Sequence, residues 1–268
     1  MWIGLFFIVY EPSGSVGEEL TSRGFLATYR VELAGFSLGK FQLSASFRGA
    51  SYELKAKGAF SLLAGALYRA SGSTTSTGRQ TKTGPKPSQF ELDYKSGKKS
   101  EQRRITFQGR DVRDVSLVPR KRETGRVPVS EQQLRDVLDP LTAAFLYARS
   151  SSAPGDLDVC HQTLPIFEGK QRFDIILTPK RAERLDGESL GAVSGPAAVC
   201  RAKFIPLGGY RTDHPGIKFM TETDKIEVWL VSLPETSLYL PYQILVPTSF
   251  GLGSVTLIRI KTEELPHP

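Results

Sequence analysis

Few residues of this 268-residue chain have the type and spacing that chemistry requires. There are two cysteines, Cys160 and Cys200, and no CxxC pair of the kind that holds zinc or runs thiol exchange. A nucleophilic thiol needs a base that meets it side chain to side chain. His161 follows Cys160 directly in sequence, and adjacency alone does not supply that geometry. His214 sits in the turn-like run Asp213-His214-Pro215-Gly216, and His267 in the tail. The carboxylate pairs Asp111/Asp114 and Asp156/Asp158 lie among polar or basic residues, as solvated surface does, and Asp156-Leu157-Asp158 lacks the further ligands of a calcium loop. HExxH, P-loop and GxGxxG motifs are missing. The expectation is a protein with no catalytic residues, no metal and no cofactor. A hydrolase using His161 or His214 is the remote alternative. The two cysteines read as one structural disulfide, which requires an oxidising compartment; two separate small core residues are the alternative.

The elements that would carry these residues are strands. Between the cysteines, Leu164, Ile166 and Phe167 face Phe173, Ile175 and Leu177 across Glu168-Gly169-Lys170, the pattern of a hairpin. A Cys160–Cys200 bridge would tie that hairpin to a strand over residues 198–206. Upstream, Tyr29, Val31 and Leu33 share a face, as do Phe41, Leu43, Ala45 and Phe47, then Tyr52, Leu54 and Ala56, in an antiparallel meander with short Gly turns. Residues 60–69 fit a helical turn or a continuing strand, and the SGSTTSTG run at 71–78 fits an exposed strand or loop. Phe90, Leu92 and Tyr94 alternate, followed by Arg103, Ile105 and Phe107, and then a strand over 112–118. One segment looks helical. Ser130-Glu131-Gln132-Gln133 has the capping-box form, and Asp139-Pro140 restarts a second short helix, giving a helical pair over about 130–148. Beyond Cys200 come strands over 225–232, 238–247 and 255–261, punctuated by Pro234, Pro241 and Pro247. About a dozen strands predict a mainly β fold, a curved antiparallel sheet forming an incompletely closed barrel or β-spiral.

The apolar run at residues 2–9 is far shorter than a spanning helix and has the length of a secretory h-region. It reads as an export signal whose upstream start is missing from this version of the chain, the alternative being a buried N-terminal strand. The division expected is a truncated signal and linker at 1–24, one β-rich domain at 25–262, and a tail at 263–268. The chain carries a formal net charge of +7. Residues 79–126 hold fourteen Lys and Arg against six Asp and Glu, so the excess is concentrated there. A basic face of this kind suits anionic envelope components, or is an ordinary solvated exterior. Nucleic acid is not the expected partner: Phe90, Tyr94 and Phe107 alternate with the charges and so fall on the opposite, buried face.

Several segments together resemble the domain-of-unknown-function 3108 family. These are YRVELAGFSLG at 29–39, LDPLTA at 138–143, IFEGKQRFD at 166–174, CRAKF at 200–204 with Gly209-Tyr210, and Val228-Trp229-Leu230 followed by Leu240-Pro241-Tyr242. The resemblance runs in order over about residues 27–261. It implies a Cys before the hairpin and another on the following strand, and Cys160 and Cys200 match. Glu168 stands where the family has Asp. The resemblance further implies an exported Gram-negative envelope protein, similar in shape to Lol-type lipoprotein carriers, with no enzymatic role established.

Two functional readings follow. In the first, a half-barrel in the periplasm binds a hydrophobic ligand on a concave face lined by Leu141, Phe145, Phe173, Phe204 and Trp229. Lys98, Lys99, Arg103, Arg104, Arg110 and Arg113 then form a basic surface toward the envelope, and the protein is at most peripheral to the membrane. In the second, the helix plugs the sheet and the filled barrel docks an envelope partner through its basic strands.

Overall fold

A computed structural model describes residues 23–62, 68–120, 124–145, 153–186, 194–233 and 238–264. The expected signal and the tip of the tail lie outside them, as does Pro234.

Two-residue periodicity dominates the chain, and it builds one sheet of thirteen strands. Seven strands form a meander: β1 (Arg23–Leu33), β2 (Phe36–Arg48), β3 (Ser51–Leu62), β4 (Tyr68–Thr81), β5 (Gly84–Ser96), β6 (Lys99–Gln108) and β7 (Asp111–Val118). A crossover then carries the chain to the far edge, where β8 (Gln162–Phe167) begins a second meander through β9 (Arg172–Asp186), β10 (Ser194–Gly208), β11 (Ile226–Ser232), β12 (Tyr239–Thr248) and β13 (Gly251–Glu264). The last strand returns to pair with the first, so β1 and β13 join the two halves and β7 and β8 are the free edges. Every ladder is antiparallel. The sheet curls but does not close into a barrel, since no ladder joins β7 to β8.

What stands between those edges is the crossover itself. Leu138 makes a parallel bridge to Ile166 of β8: its N–H donates to the Pro165 carbonyl at 2.8 Å, and its own carbonyl accepts from the Phe167 N–H at 2.9 Å. One residue earlier, the Val137 N–H donates to the Arg110 carbonyl in the β6–β7 turn at 2.8 Å. Two residues of irregular chain thus bond the edge of β8 and the turn that leads into β7, covering part of an edge that would otherwise be a template for pairing with another chain. Near the same gap the β8–β9 turn reaches β6. Arg103 pairs with Glu101 and Glu168, and Lys170 Nζ lies 2.7 Å from Glu101 Oε2.

Ser130 caps a short 3-10 turn, Glu131–Leu134, with the reciprocal Gln133 contact that the sequence foretells. Pro140–Phe145 forms α1, behind the Asp139 N-cap. The helical content is wider than the expected single pair, because Pro215–Glu222, read from sequence as polar loop, is a second helix, α2. His214 caps it by accepting the Gly216 N–H on Nδ1 at 3.2 Å, and Pro215 at the first turn supplies the fixed φ.

Two apolar clusters share the molecule. The first gathers Ala27, Tyr29, Leu43, Leu54, Phe90 and Ile105 of the first meander with Leu141, Val231, Leu240 and Leu257. The second surrounds Cys160 and Cys200 and includes Leu138, Leu164, Ile166, Leu177, Ala202, Ile226 and Leu230. Strand β11 divides between them, with Val228 and Leu230 against the second and Trp229 and Val231 against the first. For the run at 71–78 the strand reading holds and only its exposure is corrected. It lies inside β4, flanked by β3 and β5, and Ser76 is fully buried.

Candidate functional site

A short helix with no charged residue, entered through Asp139 and Pro140, would be marginal on its own. It persists here because the sheet surrounds it: α1 touches β4, β8 and β12, strands from both halves. Asp139, Leu141, Thr142 and Ala143 are all buried. Asp139 Oδ1 accepts the Leu141 and Thr142 N–H groups at 3.0 Å each. Its Oδ2 accepts the Thr142 hydroxyl at 2.6 Å and the Ser76 hydroxyl at 2.9 Å. Thr142 Oγ1 also lies 3.0 Å from the Tyr52 hydroxyl. Burial pushes the Asp139 carboxyl above its ordinary value of 3.8, against four hydrogen bonds that favour the anion. Burial, with the Asp139 charge adding to it, raises the Tyr52 phenol as well.

The small residues of β4 make room for this arrangement. Gly78 pairs with Tyr52 in register, and a Cβ there would lie 2.5 Å from the Tyr52 hydroxyl and 2.4 Å from the Lys86 carbonyl. Sequence reading missed Ser76, Thr142 and Tyr52. The alternation Ala70, Gly72, Thr74, Ser76, Gly78 was the available signal, a strand face kept small because something packs on it.

Farther along the same strands is an apolar notch of about 210 Å³. Gly58 and Gly72 face each other across β3 and β4, in one row with Phe41 and Tyr94, while Phe60, Ala56 and Leu92 complete the walls. A polar groove of about 380 Å³ lies along β4–β7 and mixes Glu91, Asp93 and Asp114 with Arg103 and Arg104.

The residues expected to line one concave face are dispersed. Phe173 and Phe204 pack at a tilt with centroids 5.2 Å apart, Phe173 lying beside the disulfide cluster. Trp229 and Leu141 belong with the first cluster, and Arg181 covers the Trp229 ring at 5.1 Å. Phe145 ends α1, and its side chain is outside the described set. The expected facing of Phe167 with Phe173 is also corrected. Phe167 pairs with Arg172 and turns to the first cluster, while Ile166 faces Phe173.

Of the basic surface, Lys98, Lys99, Arg104 and Arg113 are exposed. Arg103 points to the other side of β6: it shares a row with Leu92 and is held by Glu101 and Glu168. Arg110 is half-buried against Asp136 at 2.9 Å. The Glu101 carboxyl, which partial burial alone would raise, is held below the ordinary carboxylate range by hydrogen bonds from Lys170 and Arg103. His161 is exposed and 3.6 Å from Asp158.

The cysteines are joined, S–S 2.00 Å, with Cα atoms 5.4 Å apart and both residues fully buried. Cys160 closes the 3-10 turn Leu157–Cys160 before β8 and Cys200 lies on β10, so the bond spans the intervening strand β9. No helix among the described residues is long and apolar enough to cross a membrane.

A curled, all-antiparallel sheet plugged by its own crossover defines a β-barrel-like protein. The model of the DUF3108 family, described as a protein of unknown function, matches residues 28–258, and the chain belongs to that family. No curated protein matches the chain significantly. A solved structure described as a beta-barrel-like protein of domain of unknown function DUF1849 from Brucella abortus aligns with 91% of this chain and 99% of its own, at 7% identity and a TM-score of 0.44.

Proposed function

We propose that this is a non-enzymatic protein of the cell envelope, exported to an oxidising compartment, that acts by contact with a partner while its centre stays filled. One observation carries the reading. The space a half-barrel would offer to a ligand is occupied by α1, locked through Asp139 and Thr142 to Ser76 and Tyr52. The buried Cys160–Cys200 bond supports the compartment, since such bonds persist outside the reducing cytosol. Photo-crosslinkers placed at exposed Arg104 and Arg113 in cells should give one dominant protein adduct in the envelope fraction. Adducts absent from both positions would contradict the reading.

The notch between Phe41 and Tyr94 favours a second reading, capture of a hydrophobic ligand. At about 210 Å³ it falls below the roughly 300–1,000 Å³ of small-molecule pockets, so it suits one end of an acyl chain. Displacement of a fluorescent fatty acid, lost on Ala56→Phe, would support this second reading over the first.

A further inference from the structure

Three of the four large exposed apolar side chains among the described residues stand at two adjoining hairpin tips: Phe36 at 64% exposure, Phe250 at 80% and Leu252 at 49%. The tips are joined, because the Ala34 N–H donates to the Leu252 carbonyl at 2.8 Å, and Leu33 pairs with both Phe36 and Gly253. They are also held in shape. Ala34 and Gly35 both have positive φ, the two-residue turn that suits a hairpin. In the other tip the Thr248 hydroxyl donates to the Gly251 carbonyl at 2.7 Å and accepts the Phe250 N–H at 3.1 Å. Two phenylalanines are therefore fixed in water by built turns.

The same end of the first meander is basic. Lys40, Arg69, Lys95, Lys98 and Lys99 are exposed there, around the ends of β2 to β6. Of the carboxylates near these ends, Glu32 and Glu101 are matched by Arg30 and by Arg103 with Lys170, while Asp93 accepts from the Gln102 amide at 3.0 Å. The apolar notch lies at these same ends of β2–β5. Aromatic tips that insert at the headgroup level, ringed by cations, complement an anionic bilayer.

We infer that the end of the molecule carrying Phe36, Phe250 and Leu252 docks on the surface of an anionic lipid bilayer. The inference takes its setting from the envelope reading above, but its test is independent of it. Purified full chain should float with vesicles of phosphatidylethanolamine and phosphatidylglycerol. Binding should fall about tenfold or more with pure phosphatidylcholine or at high salt, where screening shortens the reach of each cation. The Phe36→Ser, Phe250→Ser double variant should lose about tenfold or more in vesicle binding with its melting temperature unchanged, because neither ring is packed. A Lys98→Gln, Lys99→Gln variant should weaken binding to anionic vesicles only. Absence of flotation with the anionic vesicles, or equal binding by the Phe variant, overturns the inference. So does sedimentation showing concentration-dependent dimers that the Phe variant abolishes, since the tips would then meet a second copy. Envelope fractionation of cells fails or succeeds separately, and reports on the broader reading alone.

Discussion

The Ser76 hydroxyl of β4 donates to Asp139 Oδ2 at 2.9 Å, tying the cap of α1 to the wall that encloses it. Asp139 is fully buried and also caps two helical N–H groups, so its loss should be costly. Asp139→Ala is expected to lower unfolding free energy by about 2–4 kcal/mol, from the lost cap and the buried donors left without an acceptor. Asp139→Asn keeps the capping oxygen, and the Ser76 and Thr142 hydroxyls can turn to accept, so its cost should be about 1 kcal/mol or less. Urea titration of the two variants checks the ranking.

The same carboxyl gives a pH dependence of definite sign. Its folded-state pKa is raised, so the folded protein holds this proton more tightly than the unfolded chain. Stability from this group therefore falls as pH rises from its ordinary 3.8 through the raised value. Relative to the parent, Asp139→Asn should gain stability over that rise. A difference that stays flat across it would show that the carboxyl is not shifted upward.

Glu101 works in the opposite sense. Hydrogen bonds from Lys170 and Arg103 hold it below its ordinary 4.5, so its contribution is present above that value and is lost as pH falls through the lowered one. Glu101→Gln should lower stability in the neutral region and cost progressively less as pH falls below 4.5, which flattens the acid limb of the profile. Denaturant midpoints collected across the acid range test it.

The bond from Cys160 to Cys200 closes 40 residues of sequence. In the chain-entropy account that loop is worth about 4 kcal/mol, and Cys160→Ala with Cys200→Ala should lower stability by about that amount. The second apolar cluster, built around both sulfurs, should lose protection from amide exchange before the first. Uniform loss across both clusters would count against two distinct cores.

Gly78 offers a packing test. Its added Cβ meets a backbone carbonyl and the Tyr52 ring, neither of which moves freely. Gly78→Ala should cost about 1–3 kcal/mol, whereas Gly49→Ala, where a Cβ meets nothing, should cost only its backbone strain. Thermal melts of both variants make the comparison.

Much of the architecture was legible because alternation is strong wherever one sheet face is buried: Leu43, Ala45 and Tyr52, Leu54 announced their strands. The capping box at Ser130 and the cysteine pair were equally plain. The closed centre was not legible. A strand that keeps its inner face small with Gly72, Ser76 and Gly78 looks like a loop until the helix it accommodates is placed on it. That the aromatic residues fall in two clusters was illegible for a related reason. Strand β11 packs on both clusters and carries Trp229 against the first, while Phe173 on β9 packs against the second, and only the register of neighbouring strands separates the two rings. Arg103 reads as one more surface cation, yet its register with Leu92 turns it toward Glu168, sixty-five residues away. The tips were invisible too, since Phe36 and Phe250 are far apart in the chain and meet only because β13 returns to β1.

The account stands on α1 occupying the centre of the curled sheet. Native mass spectrometry of the protein purified from its own envelope addresses this directly. It should return a mass explained by the polypeptide alone, under conditions gentle enough to retain a bound lipid. A dominant species carrying a lipid, retained in the Ala56→Phe variant and in the Phe36→Ser, Phe250→Ser variant, would contradict it.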